Sequence, residues 1–159
     1  MADEQPTPAG PQKQLLLQKI YVKDLSFESP KAPNVFTQNV SPQTQLNVRS
    51  GAQRVAQDTH ELTLTITVEA KDKDSTLFLA EVAQAGIFVI QGYSADELQI
   101  LLGSFCPNTL YPFAREAIAE LVTKGGFPQL LLQPLNFDAI FAQAVQERAT
   151  RVAGSGQPA

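Results

Sequence analysis

The segment at residues 60–71, HELTLTITVEAK, alternates polar and apolar side chains from Glu61 to its end. Successive side chains of a β-strand point to opposite faces, so this pattern predicts a strand with one dry face and one face that tolerates water. The residues on the dry face are Leu62, Leu64, Ile66, Val68 and Ala70. The chain must therefore build a sheet that is covered on one side.

Three further segments predict strands that accompany this one. They are KIYVKDLSFE at 19–28, QLNVR at 45–49 and TLFLAEVAQAGIFVIQG at 76–92, the last reached through a charged hairpin at 71–75. Residues 29–43 contain three prolines. Because proline interrupts the hydrogen bonds of a sheet, we expect a long irregular crossover there.

The second half of the chain changes to helical periodicity. Ser94 and Glu97 form an S-x-x-E capping box that predicts a helix start, and an apolar stripe follows at Leu98, Leu101, Leu102 and Phe105. Prolines at 107 and 112 predict a kink in this helix, and glycines at 125 and 126 predict its end. A last helix is predicted from about residue 136. Strands followed by helices indicate an α+β fold with an antiparallel sheet.

The overall composition excludes several functional classes. The chain has 159 residues and a net charge of -4, which predicts one domain and disfavours nucleic acid or anionic lipid as a partner. No signal peptide or apolar run long enough to cross a bilayer is found, so we expect a cytoplasmic protein without direct membrane insertion. Residues 14–149 form the predicted domain, between disordered tails at 1–13 and 150–159.

The single cysteine, Cys106, is the residue most open to a catalytic interpretation. A nucleophilic cysteine needs a base, and the only histidine, His60, is distant in sequence at the start of a strand. Cys106 also continues the apolar stripe next to a proline, so we interpret it as a buried hydrophobic residue. No glycine-rich phosphate loop or metal-ligand cluster is present, and we predict neither enzymatic activity nor a cofactor.

Four blocks of the sequence resemble the signature segments of the SecB family of bacterial export chaperones. They are IYVKDLSFESPKAPNVF, FLAEVAQAGIFVIQG, LGSFCPNTLYPFARE and GGFPQLLLQPLNFDAIF, and they occur in order across about residues 18–147. The resemblance implies a four-stranded antiparallel sheet with two main helices packed on one face, assembled as a homotetramer that is a dimer of dimers. It also implies an ATP-independent holdase that keeps unfolded, signal-peptide-bearing precursors competent for export and delivers them to the SecA motor.

The resemblance also implies two groups of binding residues. The zinc-bearing C-terminal tail of SecA is expected to bind an acidic and apolar patch made of Asp24, Glu28, Leu79 and Glu81. Unfolded clients are expected in apolar grooves that include Phe36, Leu46, Val48, Phe137, Phe141 and Val145. For the second group, burial in the core is an equally good interpretation of the same residues.

Two departures from the family pattern and two alternatives stay open. Many relatives have tryptophan where this chain has Val40, which affects the aromatic character of the groove, and many have cysteine where it has Ala80. One alternative is a SecB-like chaperone dedicated to a single partner, such as an antitoxin. The other is a carrier that holds a small ligand between the helices and the sheet.

Overall fold

Four antiparallel strands form a single sheet in the order β1-β4-β3-β2. The structure is a computed structural model that describes residues 12–155. Its strands are β1 (Gln14–Glu28), β2 (Gln43–Ala56), β3 (Thr59–Asp72) and β4 (Ser75–Gln91). This arrangement confirms the predicted α+β class and places β1 and β2 at the two edges of the sheet.

The strand at the second edge is much longer than the sequence indicated. We predicted five residues at 45–49, whereas β2 has 14 residues, and only Val48 among them is partly buried. An exposed edge strand carries polar residues on both faces, so it lacks the alternation that reveals a half-buried strand. The proline-rich crossover is irregular as predicted, apart from one short turn at Asn34–Thr37 that buries Val35.

Helices cover one face of the sheet, and the hydrophobic core lies between these helices and the sheet. The helices are α1 (Ala95–Ile100), α2 (Cys106–Lys124) and α3 (Phe137–Gly154). The dry face of β3 packs with the apolar side of α2, where Leu110, Ala114 and Ile118 are fully buried. Each large apolar side chain buried in this way stabilises the fold by ~1.5–3 kcal/mol.

Helices α1 and α2 are joined by a π-helical turn at Leu101–Phe105. Pro107 has no N–H to donate to the carbonyl of Gly103, and its ring crowds that carbonyl in a regular α-helix. The N–H of Cys106 bonds to the carbonyl of Leu101, five residues earlier, as a π-turn requires. The predicted interruption at Pro107 therefore takes the form of this turn, while the capping box of Ser94 and Glu97 is present as predicted.

Helix α3 packs mainly on the π-turn, whereas we expected two main helices packed on one face of the sheet. Its N-cap is Asn136, whose side chain accepts a hydrogen bond of 3.0 Å from the N–H of Ala139. Phe141 lies against the backbone of Gly103, where a Cβ atom would be 2.1 Å from the ring. Phe137 is the only buried residue of α3. Most of this helix is therefore exposed.

The ends of the described chain differ in part from the predicted tails. Helix α3 continues to Gly154, whereas we expected disorder from residue 150. Residues 1–11 and 156–159, which contain most of the predicted N-terminal tail and the last four residues of the predicted C-terminal tail, lie outside the described residues. Within residues 12–155, none of the helices combines the length and the apolar character that crossing a membrane would need.

Candidate functional site: two faces of one sheet

The predicted SecA-binding residues lie together on the sheet face that carries no helix. Strand pairing places Glu28 directly opposite Leu79, and it places Asp24 opposite Ala83, next to Glu81 along β4. Asp24 and Glu28 are exposed, while Leu79 and Glu81 are half-buried. We refer to Asp24, Glu28 and Glu81 around Leu79 as the acidic patch.

Two side chains of β3 that the sequence analysis did not single out complete the surroundings of the acidic patch. Thr67 lies opposite Glu81, and its hydroxyl donates a hydrogen bond of 2.7 Å to Glu81 Oε2. Glu69 lies opposite Leu79, on the other side from Glu28. Glu69 accepts a hydrogen bond of 2.8 Å from the Thr76 hydroxyl. Leu79 is therefore flanked by two glutamates.

On the same face, a second polar cluster contains a carboxylate, that of Glu61, whose charge is compensated by its neighbours. Lys23 Nζ lies 3.0 Å from Glu61 Oε1, and the Tyr21 hydroxyl donates to Glu61 Oε2. The hydrogen bonds from Tyr21 and Lys23 lower the pKa of Glu61. Burial, helped by the nearby Glu61, raises the pKa of Tyr21 to about 12. Glu61 is compensated in this way, whereas Asp24, Glu28 and Glu81 form no ion pair within the described residues.

Phe36, the first predicted client residue, belongs to a cluster of aromatic rings at one end of the molecule. Its ring is half-exposed and lies 5.3 Å from that of Phe127, measured between centroids. Phe127 also contacts Phe27 and Phe78, with centroid distances of 6.3 and 4.8 Å. The crossover, two strands and the loop after α2 each contribute one ring to this aromatic cluster. Phe36 is the ring most accessible from outside.

Phe141 and Val145 line a cleft between α3 and the edge strand β2. The cleft has a volume of 340 Å³. Its floor and walls are made by small residues of β2, by Leu62 of β3 and by residues of the π-turn and α3, namely Ser50, Gly51, Ala52, Leu102, Gly103, Ile140, Phe141, Ala144 and Val145, with Gln99 and Arg148 at its rim. We refer to this space as the β2–α3 cleft. It is open, so a polypeptide segment can enter it from solvent.

The other three predicted client residues lie elsewhere. Leu46 and Val48 are on the helix-bearing side of β2, opposite Val68 and Ile66 of β3. Phe137 is only 4% exposed and packs edge-on against Tyr111, with 5.7 Å between ring centroids. A contact between Phe137 and a client would require α3 to move away from the π-turn.

The predicted packing role of Cys106 agrees with its surroundings. The side chain is fully buried at the start of α2, and burial raises the pKa of its thiol to about 12. This shift disfavours the thiolate that nucleophilic catalysis requires. Within residues 12–155, no group of three or more His, Cys, Asp or Glu side chains is arranged to hold a metal ion.

Comparison with known proteins relates the chain to one family. Residues 8–148 match the family described as preprotein translocase subunit SecB. A protein-export protein SecB of Nitrosococcus oceani is 53% identical over 148 residues, which cover 92% of this chain and 90% of the relative. A protein-export protein SecB of Methylococcus capsulatus is 48% identical over 136 residues, covering 86% of this chain and 88% of the relative.

A solved structure shares the fold at much lower identity. It is a SecB-like chaperone of Mycobacterium tuberculosis in complex with a peptide from an antitoxin, and it superposes with a TM-score of 0.60 at 16% identity. The match covers 77% of this chain and 91% of the solved one. The sequence match over most of both chains, together with this likeness of fold, shows that the chain belongs to the SecB family.

Proposed function

We propose that this protein is an ATP-independent export chaperone that holds unfolded precursor proteins and delivers them to SecA. The observation that carries the proposal is the separation of two kinds of surface by the thickness of one sheet. The helix-bearing side has open apolar sites, and the opposite side has the acidic patch. A holdase that passes its client to a motor needs both surfaces at the same time.

Clients are held on the helix-bearing side through exposed apolar side chains. Phe36, Leu46 and Val145 are each more than two-fifths exposed, and Phe141 contributes to the wall of the β2–α3 cleft. Exposed apolar area of this kind is unfavourable in water, so covering it with an unfolded chain is favourable and independent of exact sequence. The signal-peptide-bearing precursors that the family serves expose such segments before they fold.

SecA binds at the acidic patch through its zinc-bearing C-terminal tail. A basic tail is attracted by Asp24, Glu28 and Glu81, and Leu79 supplies the apolar contact between them. Charges at the rim of an interface mainly set the association rate and the specificity, so this binding weakens as salt is added. Because the sheet lies between the acidic patch and the β2–α3 cleft, SecA and a client can bind together.

The chain assembles as a homotetramer, a dimer of dimers, in the cytoplasm. In the isolated chain, Ile100 of α1, Phe105 of the π-turn and Phe113 of α2 are about half exposed. Val22 and Leu25 of the edge strand β1 are exposed to a similar degree. Burial against other copies removes these side chains from water. Light scattering should report four chains per particle at micromolar concentration, and a stable monomer would contradict the proposed assembly.

A SecB-like chaperone that serves one dedicated partner, such as an antitoxin, is the alternative. The solved structure bound to an antitoxin peptide is 16% identical to this chain, whereas the relatives named protein-export protein SecB are about 50% identical. The close pairing of Glu28 with Leu79 also favours a SecA-binding role. The export function is therefore the better supported of the two.

Calorimetry with Glu81→Lys tests both proposed sites in one experiment. The substitution replaces attraction by repulsion, so we expect the affinity for the isolated SecA tail to fall by about tenfold, or ~1.4 kcal/mol. Affinity for an unfolded precursor, measured without nucleotide, should stay unchanged. The matched control is Glu120→Lys, which makes the same charge change at an exposed site on α2 and should leave tail binding intact. If both affinities fall together, or neither moves in Glu81→Lys, the two sites are not as assigned.

A further inference from the structure

A small cavity lies where the turn between β2 and β3 meets the start of α1. Its volume is 220 Å³, which is below the ~300–1,000 Å³ of clefts that hold drug-sized ligands. Three of its lining side chains carry a charge or an imidazole, and three are apolar or aromatic: Arg54, Asp58, His60, Ile90, Tyr93 and Leu98. We refer to this space as the turn cavity. It shares no lining residue with the β2–α3 cleft or with the acidic patch.

His60 is the buried polar side chain of the turn cavity. It is 8% exposed, and strand pairing places it between Arg54 of β2 and Phe88 of β4. Its ring forms no hydrogen bond within residues 12–155, yet no buried side-chain nitrogen there lacks a partner. The ring nitrogens are therefore accessible, and the accessible part of the ring faces the cavity. A ligand in the cavity can supply the hydrogen bond that this imidazole lacks.

Arg54 and Asp58 both line the turn cavity, but they do not pair with each other. Within the described chain, no salt bridge joins either side chain to any residue. Arg54 Nε donates to the carbonyl of Ala56 at 3.4 Å, which leaves the terminal nitrogens of the guanidinium group available. The carbonyl of Asp58 accepts a hydrogen bond of 2.8 Å from the N–H of Ile90, which attaches the turn to β4. Two opposite charges are thus held at one cavity without neutralising each other.

Both of these charges act on the imidazole between them. Burial lowers the pKa of His60 below its ordinary value, Arg54 lowers it further, and Asp58 raises it. The guanidinium group and the carboxylate therefore both lie within electrostatic range of the ring. The ring is neutral at neutral pH, so one nitrogen donates a hydrogen bond and the other accepts one. Lys13 and Glu97, at the start of α1, pair with each other at 3.1 Å.

The two unpaired charges select among classes of small ligand. A simple carboxylate is attracted by Arg54 and repelled by Asp58, and a simple amine experiences the reverse. A molecule that carries both groups satisfies both side chains. Ile90 is almost fully buried and Leu98 is half-buried, so they give the cavity an apolar wall. A ligand that also carries an apolar group gains affinity by removing this group from water.

We propose that the turn cavity binds a free α-amino acid with an apolar side chain, such as leucine, in its zwitterionic form. The carboxylate of the ligand bonds to the terminal nitrogens of Arg54, and its ammonium group bonds to the carboxylate of Asp58. Its side chain packs against Ile90 and Leu98, and His60 bonds to one of the two polar groups. The site is separate from the surfaces proposed for clients and for SecA, so this inference does not depend on the export function.

An occupied turn cavity joins two parts of the fold. Arg54 and Asp58 belong to the end of β2 and to the turn that follows it, whereas Tyr93 and Leu98 belong to the start of α1. The ligand contacts both parts only when the protein is folded. A ligand that binds the folded state alone stabilises it by mass action. Leucine should therefore raise the temperature of unfolding as its concentration rises.

Titration of the full, assembled protein with L-leucine, followed by the NMR signal of the imidazole, tests the proposal. His60 is the only histidine, so isotope-labelled histidine gives one side-chain signal per chain. We expect this signal to shift and to saturate with a dissociation constant of about 1 mM, because partly exposed charges contribute modestly to binding. A signal that stays in place at leucine concentrations far above this value would overturn the proposal.

Analogues of leucine show whether both charged groups are recognised. Isocaproate lacks the ammonium group and isoamylamine lacks the carboxylate, so each should bind about tenfold more weakly than leucine. Glycine, which lacks the apolar side chain, should also bind more weakly. Equal affinities for isocaproate and leucine would contradict recognition of a zwitterion. N-acetyl-leucinamide resembles a leucine within a polypeptide chain, and its binding as tightly as leucine would mean that the cavity holds part of a client instead.

Two variants assign the contacts to residues. Arg54→Gln should weaken leucine binding by about tenfold, as for the loss of a charge-assisted hydrogen bond. Its matched control is Arg49→Gln, on the same strand but opposite Thr65 on the other face, which should bind like the parent. Asp58→Asn removes the negative charge, and asparagine tolerates the φ of 57° at this position.

Asp58→Asn should also weaken leucine binding, while isocaproate binding should improve because the repulsion is gone. This reversal of preference is not expected from a general loss of structure. If Arg54→Gln does not fold, Asp58→Asn decides the assignment alone. Leucine affinities equal to that of the parent in the folded variants would overturn the proposal.

Discussion

The hydroxyl of Thr67 donates a hydrogen bond of 2.7 Å to Glu81 Oε2 across two neighbouring strands. This bond holds the carboxylate of Glu81 in one orientation on the surface of the sheet. A fixed carboxylate loses less side-chain entropy when a basic partner binds than a freely rotating one does. Thr67 therefore acts on the acidic patch through Glu81, as a positioning residue.

The first prediction follows from this bond. Thr67→Val keeps the shape of the side chain and removes the donor, so we expect the affinity for the SecA tail to fall by about threefold, or ~0.6 kcal/mol. Calorimetry of the isolated tail measures the change. Thr65→Val is the matched control, because Thr65 lies on the same face of the same strand but opposite Ala83, which has no carboxylate. Equal tail affinities in the two variants would show that orientation of Glu81 is unimportant.

The alternation at residues 60–71 predicts which side chains of β3 are buried, but it does not predict which residues of the neighbouring strands they contact. Leu62, Leu64 and Ile66 are all buried, as alternation requires of a strand with one covered face. That alternation also places Thr67 on the wet face. Its contact with Glu81 depends on register, which is fixed by pairing between strands and leaves no local signal in the sequence.

The predicted client residues of α3 show a similar limit to what the sequence can predict for a helix. The apolar stripe of α3 contains both Phe137 and Phe141 at helical spacing, and the sequence treats them alike. The structure places Phe137 in the core, against Tyr111 of α2, and Phe141 at the β2–α3 cleft, against Gly103 of the π-turn. The sequence predicted an interruption of the helix at Pro107. It did not predict that the resulting π-turn would receive the ring of Phe141 at Gly103.

The second prediction concerns Cys106, which is fully buried. Cys106→Ser places a hydroxyl where a weakly polar thiol packs, so we expect the free energy of unfolding to fall by about 1–3 kcal/mol. Urea denaturation measures this cost. Cys106→Ala is the control, since it removes the sulfur without adding a polar group. Suppression of precursor aggregation should be the same for all three proteins, and its loss in a folded, assembled Cys106→Ser variant would assign the thiol a function.

The third prediction is a pH dependence of stability that originates at His60. Burial lowers its pKa below the ordinary value of 6.5, Arg54 lowers it further, and Asp58 opposes them. Between the folded and unfolded pKa values the unfolded state binds more protons at this site. The stabilisation is therefore complete above pH 6.5 and is lost as pH falls through that value toward the folded pKa.

Urea unfolding at about pH 7.5 and about pH 5.5 brackets this window. His60 is the only histidine of the chain, so no other imidazole contributes. We expect the parent protein to be less stable at the lower pH. His60→Gln, which cannot titrate, should show a smaller difference. The same decrease in parent and variant would place the pH dependence on other groups.

The fourth prediction concerns the attachment of α3. A Cβ atom on Gly103 would lie 2.1 Å from the ring of Phe141, so Gly103→Ala forces that ring out of its notch. We expect this overpacking to weaken the docking of α3 by about 1–2 kcal/mol. The expected result is faster amide exchange in α3, while α2 stays protected. Adding Phe141→Ala to Gly103→Ala removes the clash and should cancel part of the cost, because contacting residues couple energetically. Unchanged exchange in Gly103→Ala would mean that the contact with Gly103 does not hold this helix in place.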